Sequence, residues 1–453
     1  MSTNYYTDRF YQKSLLFLPL YLLTFLLPFL PILSEAFPIK ILERYTLLGF
    51  LKEIIVLIFV FTSFLVWIKS NSFLKINGII LFLLLFFIYG FFHMIMTSAN
   101  FLNAINNFRL VFIYLLLCIF IIIVTKAKKA LPHPDIFLGI TLFSSILVAF
   151  FGLYEKFVNP EVVNFYKINY ASVVKNLGIP GFPRVRIAST LGNPINLGLF
   201  LNIGILSALY FLEVSKKSIT KLISLLSIPL FVIIILFTLS RVAYLSLFIL
   251  FSFYFLYKIL SLKRASKRII FIGLFLLLIG ALYLTIHKID LFRLRTAQIL
   301  EQSSLSEEPR FEKWSYIWEV LSDNIFIFLY GKGLGNSGTS GLKGEYIIIE
   351  NTYLSILYEL GVFGLLFFII TVLCFLINVI NLYFNNQGDK KIRTFAIISL
   401  IYLVVFLFGG VFTDTYINNP FNYYFWLYFA FALSFKSLTS YATKKFELQR
   451  ASS

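Results

Sequence analysis

The sequence predicts an all-α fold of about twelve membrane-spanning helices, on the grounds of composition and of the length of its apolar runs. Of the 453 residues, 59% are hydrophobic and only 13% are charged, which is more apolar surface than a water-soluble core can bury. Runs of about 20 apolar residues, the length that crosses a hydrocarbon layer of about 30 Å, recur along the whole chain. Helices pair their own backbone polar groups, as hydrocarbon requires.

The apolar runs also define the domain organisation. The first nine helices occupy residues 1–286, with an outer loop at 156–193, and the last three occupy 352–437. A large outer loop with short interfacial helices spans 287–351, and residues 438–453 form a cytoplasmic tail. The runs that we interpret as helices are 14–33, 46–68, 76–97, 108–125, 135–155, 194–213, 219–238, 241–260, 267–287, 352–384, 392–412 and 420–437.

The net charge of +18 comes from 39 Lys and Arg residues against 21 Asp and Glu residues. Lys and Arg in short loops hold those loops on the cytoplasmic side of a membrane. With the N-terminus inside, every short basic loop falls on that side, and both long loops face outward. The charge therefore indicates a multi-pass protein of an inner membrane, in contact with membrane lipid. It does not indicate a nucleic-acid partner.

The first of four polar clusters on the outer side leads directly into a predicted helix. It contains Arg184, Arg186, Thr190, Asn193 and Asn196. Asn and Thr can cap the helix, and the positive end of the helix together with two Arg residues favours an anion. The alternative is an ordinary loop whose cations reach toward lipid headgroups.

The second cluster, Thr238 to Arg241, is the tip of a tight outer hairpin. An Arg at that depth is unfavourable unless it meets an anion or water. Arg241 is therefore either a substrate-binding cation or an anchor at the level of the headgroups.

The third cluster surrounds Arg310, at the start of a stretch with helical spacing over residues 311–321. Its apolar positions are Trp314, Ile317, Trp318 and Leu321. This spacing predicts a short helix on the outer membrane surface. Near the positive end of that helix Arg310 favours an anion, although Glu308 or Glu312 can also pair with it.

The fourth cluster joins a glycine run, Gly331 to Gly335, to the start of a later helix. As a phosphate-binding loop the run is weak, because no Lys-Ser/Thr pair closes it. Glu350 stands at the mouth of the helix and is a candidate general base, with helix capping as the rival role. Glu359 lies about 12 Å further along, so it must be protonated, paired or in contact with water. Glu359 and Glu312 are the next candidates for the base.

Several common chemistries are missing from the sequence. Cys118 and Cys374 both lie in apolar runs, and His93, His133 and His287 are scattered. There is no Asp-x-Asp, Gly-x-Ser-x-Gly or His-Glu-x-x-His pattern. The sequence thus predicts no metal site, no disulfide and no cofactor.

In their order and topology the four clusters resemble the O-antigen ligase and O-antigen polymerase superfamily of bacterial envelope polysaccharide synthesis. The resemblance extends from about Arg109 to Gly364. Its pieces are Arg186 to Asn196, Thr238 to Arg241, Arg310 with Trp314, Gly331 to Gly335, and Glu350 to Gly364. It implies a metal-independent, inverting glycosyltransferase of the GT-C-like membrane type, whose donor is a glycan on undecaprenyl diphosphate.

The resemblance also implies roles for individual residues. Glu350 would accept the proton of the acceptor hydroxyl, while Arg186, Arg241 and Arg310 would stabilise the departing diphosphate through bidentate hydrogen bonds. The residues expected to bind substrate are Arg184, Thr190, Asn193, Asn196, Arg109, Asn351, Tyr353 and Glu359.

One departure from the pattern bears on the subclass. Ligases of lipid A core carry His-Asn where this chain has Glu350-Asn351. This favours a polymerase, with a chain-length regulator protein as a possible partner, over a ligase acting on lipid A core or another surface acceptor. A transporter of lipid-linked sugars is a third alternative, but the sequence shows no paired halves.

Overall fold

The computed structural model describes residues 15–37, 40–42, 45–46, 48–70, 78–97, 101–128, 133–159, 186–261, 308–337, 349–386 and 388–435. The helices are α1 (Leu18–Leu26), α2 (Leu30–Ala36), α3 (Leu51–Lys69), α4 (Gly78–Ile95), α5 (Phe101–Lys128), α6 (Pro134–Phe157), α7 (Pro194–Val214), α8 (Ser218–Phe237), α9 (Arg241–Ser261), α10 (Glu308–Asp323), α11 (Ile325–Tyr330), α12 (Thr352–Asn385) and α13 (Lys390–Phe412). Residues 421–435 are also helical and are called α14. Between α2 and α3, Lys40–Leu42 and Tyr45–Thr46 form a short antiparallel pair.

Nine helices in these ranges are long and apolar enough to cross a membrane, namely α3 to α9, α12 and α13. The predicted all-α, multi-pass membrane fold is therefore confirmed. The first predicted helix is broken into α1 and α2 by a turn at 27–29, because Pro28 lies in the turn and Pro31 is tolerated only near a helix start. The last predicted helix corresponds to α14. The ninth, 267–287, lies outside the described residues, as do Arg184 and the tail 438–453.

The centre of the bundle is formed by α7, α13 and α14. Every residue of α14 is buried, as is the stretch 197–210 of α7. Aromatic rings fill the space between α13 and α14, with Phe406 and Phe425 stacked at 4.4 Å and Tyr402 and Tyr428 stacked at 4.8 Å between centroids. Helices that are apolar on all sides pack at such a centre, whereas α3 and α4 expose apolar side chains at the periphery.

The two ends of the bundle carry different kinds of contact. At one end, Lys391 donates to Asp135 at 2.8 Å, Tyr210 donates to the same carboxylate at 2.5 Å, and Lys258 pairs with Glu213. These contacts link α6, α7, α9 and α13. At the opposite end, the helices are connected by the segments 186–193, 238–240, 349–351 and 413–420. Three of the four predicted clusters therefore lie at this end.

Candidate active site

The first and second clusters are in direct contact. The Arg186 Nε donates to the carbonyl of Thr238 at 2.9 Å, and the backbone N–H of Ile187 donates to the carbonyl of Phe237 at 3.3 Å. The segment before α7 therefore runs beside the α8–α9 turn. Residues about fifty positions apart in the chain share one site.

The loop that follows Arg186 is held by a carboxylate that the sequence analysis did not select. Glu155, at the end of α6, accepts from the backbone N–H of Ala188 at 3.1 Å and from that of Ser189 at 2.5 Å. Its side chain is buried. The predicted substrate residue Thr190 donates its hydroxyl to the Pro28 carbonyl at 2.8 Å. The available signal for Glu155 was an acidic residue near the end of the apolar helix that precedes the first polar cluster.

Asn193 caps α7, as its position predicts. Its Oδ1 accepts from the backbone N–H of Ile195 at 2.8 Å and of Asn196 at 3.4 Å. One turn later, a Cβ at Gly198 would lie 2.2 Å from the Cβ of Ala243. Only glycine therefore permits the start of α7 to approach the start of α9 this closely.

Arg241 is the first residue of α9, and its side chain is exposed. The preceding turn is tight: Leu239 has φ of +48°, and the Thr238 hydroxyl accepts from the Ser240 N–H at 3.2 Å. The first turn of a helix has a positive electrostatic potential, so a guanidinium there is stabilised by an anion.

The cap of α12 is Asn351, and this bears on the role of Glu350. The Asn351 Oδ1 accepts from the N–H groups of Tyr353 and Leu354, both at 3.0 Å, while its amide donates to the Val411 carbonyl at 3.1 Å. Glu350 precedes the cap, is half-buried and has φ of +51°, a conformation that non-glycine residues rarely adopt. Asn351 therefore provides the cap that was the rival role for the side chain of Glu350.

Asn351 and Tyr353 tie the start of α12 to the end of α13. The Tyr353 hydroxyl donates to the Leu407 carbonyl at 2.6 Å, one turn before the Val411 carbonyl that Asn351 contacts. Both were predicted to bind substrate, and that role stays a prediction. Their contacts position Glu350.

The starts of α7, α9 and α12 converge at a glycine pair near the end of α13. A Cβ at Gly409 would lie 3.9 Å from Leu199 of α7 and 4.0 Å from Ser246 of α9. A Cβ at Gly410 would lie 3.3 Å from Thr352 of α12. Three helix N-termini therefore lie at the same end of the bundle, which favours the binding of negative charge.

Asp414 is a second acid beside this convergence that sequence reasoning missed. Its Oδ1 lies 3.5 Å from the Thr352 hydroxyl, which also contacts Thr415 at 3.1 Å. Burial raises the pKa of Asp414 to about 6, so the carboxyl group changes charge close to neutral pH. The available signal was a Thr-Asp-Thr sequence between two apolar runs.

The glycine run of the fourth cluster binds an acidic side chain of the chain itself, that of Glu359. Its Oε1 accepts from the N–H of Gly335 at 3.0 Å, the N–H of Ser337 at 2.7 Å and the amide of Asn107 at 2.9 Å. Glu359 is thus buried and held by hydrogen bonds, and its protonation state stays a prediction. A substrate contact for Glu359 stays a prediction.

The same run closes a break in α12. At Gly361 the backbone leaves the helical conformation with φ of +66°, and a Cβ there would lie 2.3 Å from the Leu329 carbonyl. The N–H groups of Lys332 and Gly333 donate to the carbonyls of Tyr358 and Glu359 at 2.8 and 2.9 Å. The segment 352–360 is thus a short separate helix, and its last carbonyl groups are satisfied by the loop.

We expect Glu359→Gln to retain most activity and Glu359→Ala to lose protein from the membrane. The amide oxygen of Gln can accept the same three hydrogen bonds, whereas Ala leaves buried N–H groups without an acceptor, at about 1–3 kcal/mol each. Activity and membrane yield of the two variants check this. Loss of activity in Glu359→Gln at normal yield would contradict it and restore Glu359 as a candidate base.

A helix, α10, is observed where the sequence predicts an interfacial one, and its position at the membrane surface stays a prediction. Ile317 and Leu321 are buried against Ile349 and Leu357, and the Trp314 indole donates to the Ile349 carbonyl at 2.9 Å. This bond reaches the residue immediately before Glu350. Arg310 lies in the first turn of α10, and its side chain is outside the described part of the structure.

Arg109 lies in an ion cluster on α3 and α5. Its Nε is 3.1 Å from the Glu53 carboxylate, with Lys52 at 3.7 Å from the same oxygen, and its guanidinium lies 4.7 Å from the centroid of the Phe50 ring. The predicted contact of Arg109 with substrate stays a prediction.

Comparison with known proteins gives a family match for part of the chain. Residues 225–369 match the family model described as O-antigen ligase. The matched segment includes Arg241, Arg310, Glu350 and Glu359, and it ends before Asp414. No curated protein gave a match to the chain. The match over residues 225–369 confirms the resemblance of this multi-pass membrane chain to the O-antigen ligase and O-antigen polymerase superfamily.

Proposed function

We propose that this protein is a polysaccharide polymerase of the bacterial inner membrane. It transfers a growing glycan from undecaprenyl diphosphate onto a lipid-linked repeat unit, at the outer face. The observation that supports this most directly is the convergence of the Arg186 loop, the Arg241 turn and the Glu350–Thr352 segment at one end of the bundle. The match of residues 225–369 to the O-antigen ligase family model supports it as well.

The transfer is a displacement at the anomeric carbon of the donor. A hydroxyl of the acceptor sugar gives its proton to Glu350, and its oxygen forms a bond to the anomeric carbon. The bond from that carbon to the diphosphate oxygen breaks on the opposite side, so the configuration inverts. The diphosphate leaves with the electron pair.

The arginines act on the leaving group. Negative charge grows on the diphosphate as the bond breaks, so fixed cations stabilise the transition state more than the ground state. Arg186, Arg241 and Arg310 supply these cations. A guanidinium is always charged and binds phosphate oxygens in a bidentate manner.

A ligase is the second candidate, because the matched family is described as O-antigen ligase. The Glu350-Asn351 pair favours the polymerase. The two functions differ in the acceptor, which is a second lipid-linked unit for a polymerase and lipid A core or another surface carrier for a ligase.

Purified protein incubated with one synthetic undecaprenyl-diphosphate repeat unit, and no other acceptor, tests the proposal. We expect a ladder of lipid-linked products on gel or by mass spectrometry, and none with Glu350→Gln. If the repeat unit stays unchanged on its own and is consumed only after lipid A core is added, the protein is a ligase. An unchanged unit under both conditions would refute a polymerase and a ligase that acts on lipid A core.

A further inference from the structure

The short helix α11 is fixed to the break in α12. Its exit residue, Gly331, has φ of +78°, and a Cβ there would lie 2.4 Å from the backbone of Glu359. The break at Gly361 lies nine residues after Thr352, which is about 13 Å along the helix. The C-terminal end of α11 is therefore held well below the start of α12.

Contacts with two neighbouring helices also place the break in α12 inside the ends of those helices. Tyr89 lies six residues before Ile95, the end of α4, and its hydroxyl donates to the Leu360 carbonyl at 2.7 Å. Asn107 lies six residues after Phe101, the start of α5, and donates to Glu359. The level of the break is thus inside the ends of three apolar helices.

The outer face of α11 is apolar and exposed. Ile325 and Phe326 are 61% and 71% exposed, and the Tyr330 ring lies 5.4 Å from that of Phe363 on α12. Below Phe363, α12 continues with an exposed apolar stripe formed by Leu366, Ile369, Ile370 and Leu373. A membrane-spanning helix turns such a stripe toward lipid, and α11 extends it without interruption.

The preceding helix has the opposite character. The exposed side chains of α10 include Glu312, Glu319 and Asp323, which require water. The boundary between the two helices is Asn324, whose Oδ1 caps α11 by accepting from the Phe326 N–H at 2.9 Å. The exposed acidic side chains of α10 therefore end at Asn324, where the apolar face of α11 begins.

We propose that α11 is immersed in the outer leaflet, with Ile325 and Phe326 in contact with lipid acyl chains. The segment 308–337 is then anchored in the bilayer rather than suspended above it. The predicted position on the membrane surface then applies to α10 and not to α11. Since α11 leads into the loop that binds Glu359, contact with lipid helps to hold that loop in place.

Single-cysteine variants in lipid nanodiscs test this, since both faces of a nanodisc are open to solvent. In a background with Cys118 and Cys374 replaced by Ala, we compare Phe326→Cys with Glu319→Cys on α10 and Leu366→Cys on α12. The Phe326→Cys thiol should react with a charged methanethiosulfonate at least about tenfold more slowly than that of Glu319→Cys. A fluorophore at position 326 should be quenched by phospholipids with a nitroxide on the acyl chain, as at position 366.

Two outcomes would overturn the proposal. If the thiols at positions 326 and 319 react at similar rates, α11 lies in water. If position 326 is protected from the reagent but is not quenched by nitroxide lipid, protein covers it, either another part of this chain or a second copy.

Discussion

Glu350→Gln should abolish glycan transfer while binding of the lipid-linked donor is preserved. The substitution keeps the size of the side chain and one acceptor oxygen, but it replaces the basic carboxylate that accepts the hydroxyl proton with a carboxamide that cannot. Because Asn351 caps α12, the helix start should form normally in the variant. Product ladders measure transfer, and retention of labelled donor on the purified variant measures binding.

The control is Glu319→Gln, an exposed acid on α10 that should remain active. If Glu350 only interacted with the helix dipole, its loss would change stability by about 0.3–1 kcal/mol and leave turnover intact. Near wild-type polymerisation by Glu350→Gln would therefore place the base elsewhere. Asp414 would then be tested first, since Glu359 is bound by the glycine loop.

Replacing Arg186, Arg241 or Arg310 by Ala should each abolish detectable product while the protein stays in the membrane. Loss of one fixed donor to a developing anion lowers turnover by about 10² to 10³. Lys should rescue poorly, because it cannot form the bidentate contact. Turnover of each variant at matched membrane yield is the measurement.

For the arginine series, Lys313→Ala is the matched control, since Lys313 is an exposed cation on the same helix as Arg310. It should have normal turnover. Near-normal activity in two of the three Arg→Ala variants would leave those residues as headgroup anchors, the alternative that the sequence left open.

The helices were predictable because period and length of apolar runs reflect the bilayer directly. The topology predicted from the sequence also assigns Arg186 and Arg241 to one face, and the contact of Arg186 with Thr238 agrees with this. The roles of these residues in transfer remain predictions, because contacts within the chain do not show where substrate binds.

Contacts between distant segments were not predictable. Nothing near Glu155 in the sequence indicates that its carboxylate binds the backbone of Ala188 and Ser189. The glycine run is a weak match to a phosphate-binding loop, and the carboxyl group that it binds belongs to Glu359, 24 residues beyond Gly335. The break at Gly361 was likewise hidden, because a glycine in a long apolar run is compatible with a continuous helix.

The glycine pair near the end of α13 has a consequence for genetics. Side chains at Gly409 or Gly410 would push against Thr415 and Thr352, at 3.2 and 3.3 Å, and so displace the segment that carries Glu350. In a random mutagenesis screen for cells that have lost their polysaccharide, inactivating alleles would then arise at two positions that touch no substrate. Such alleles would act by displacing the Glu350 carboxylate. From the positions of the mutations alone, Gly409 and Gly410 would be mistaken for substrate-binding residues.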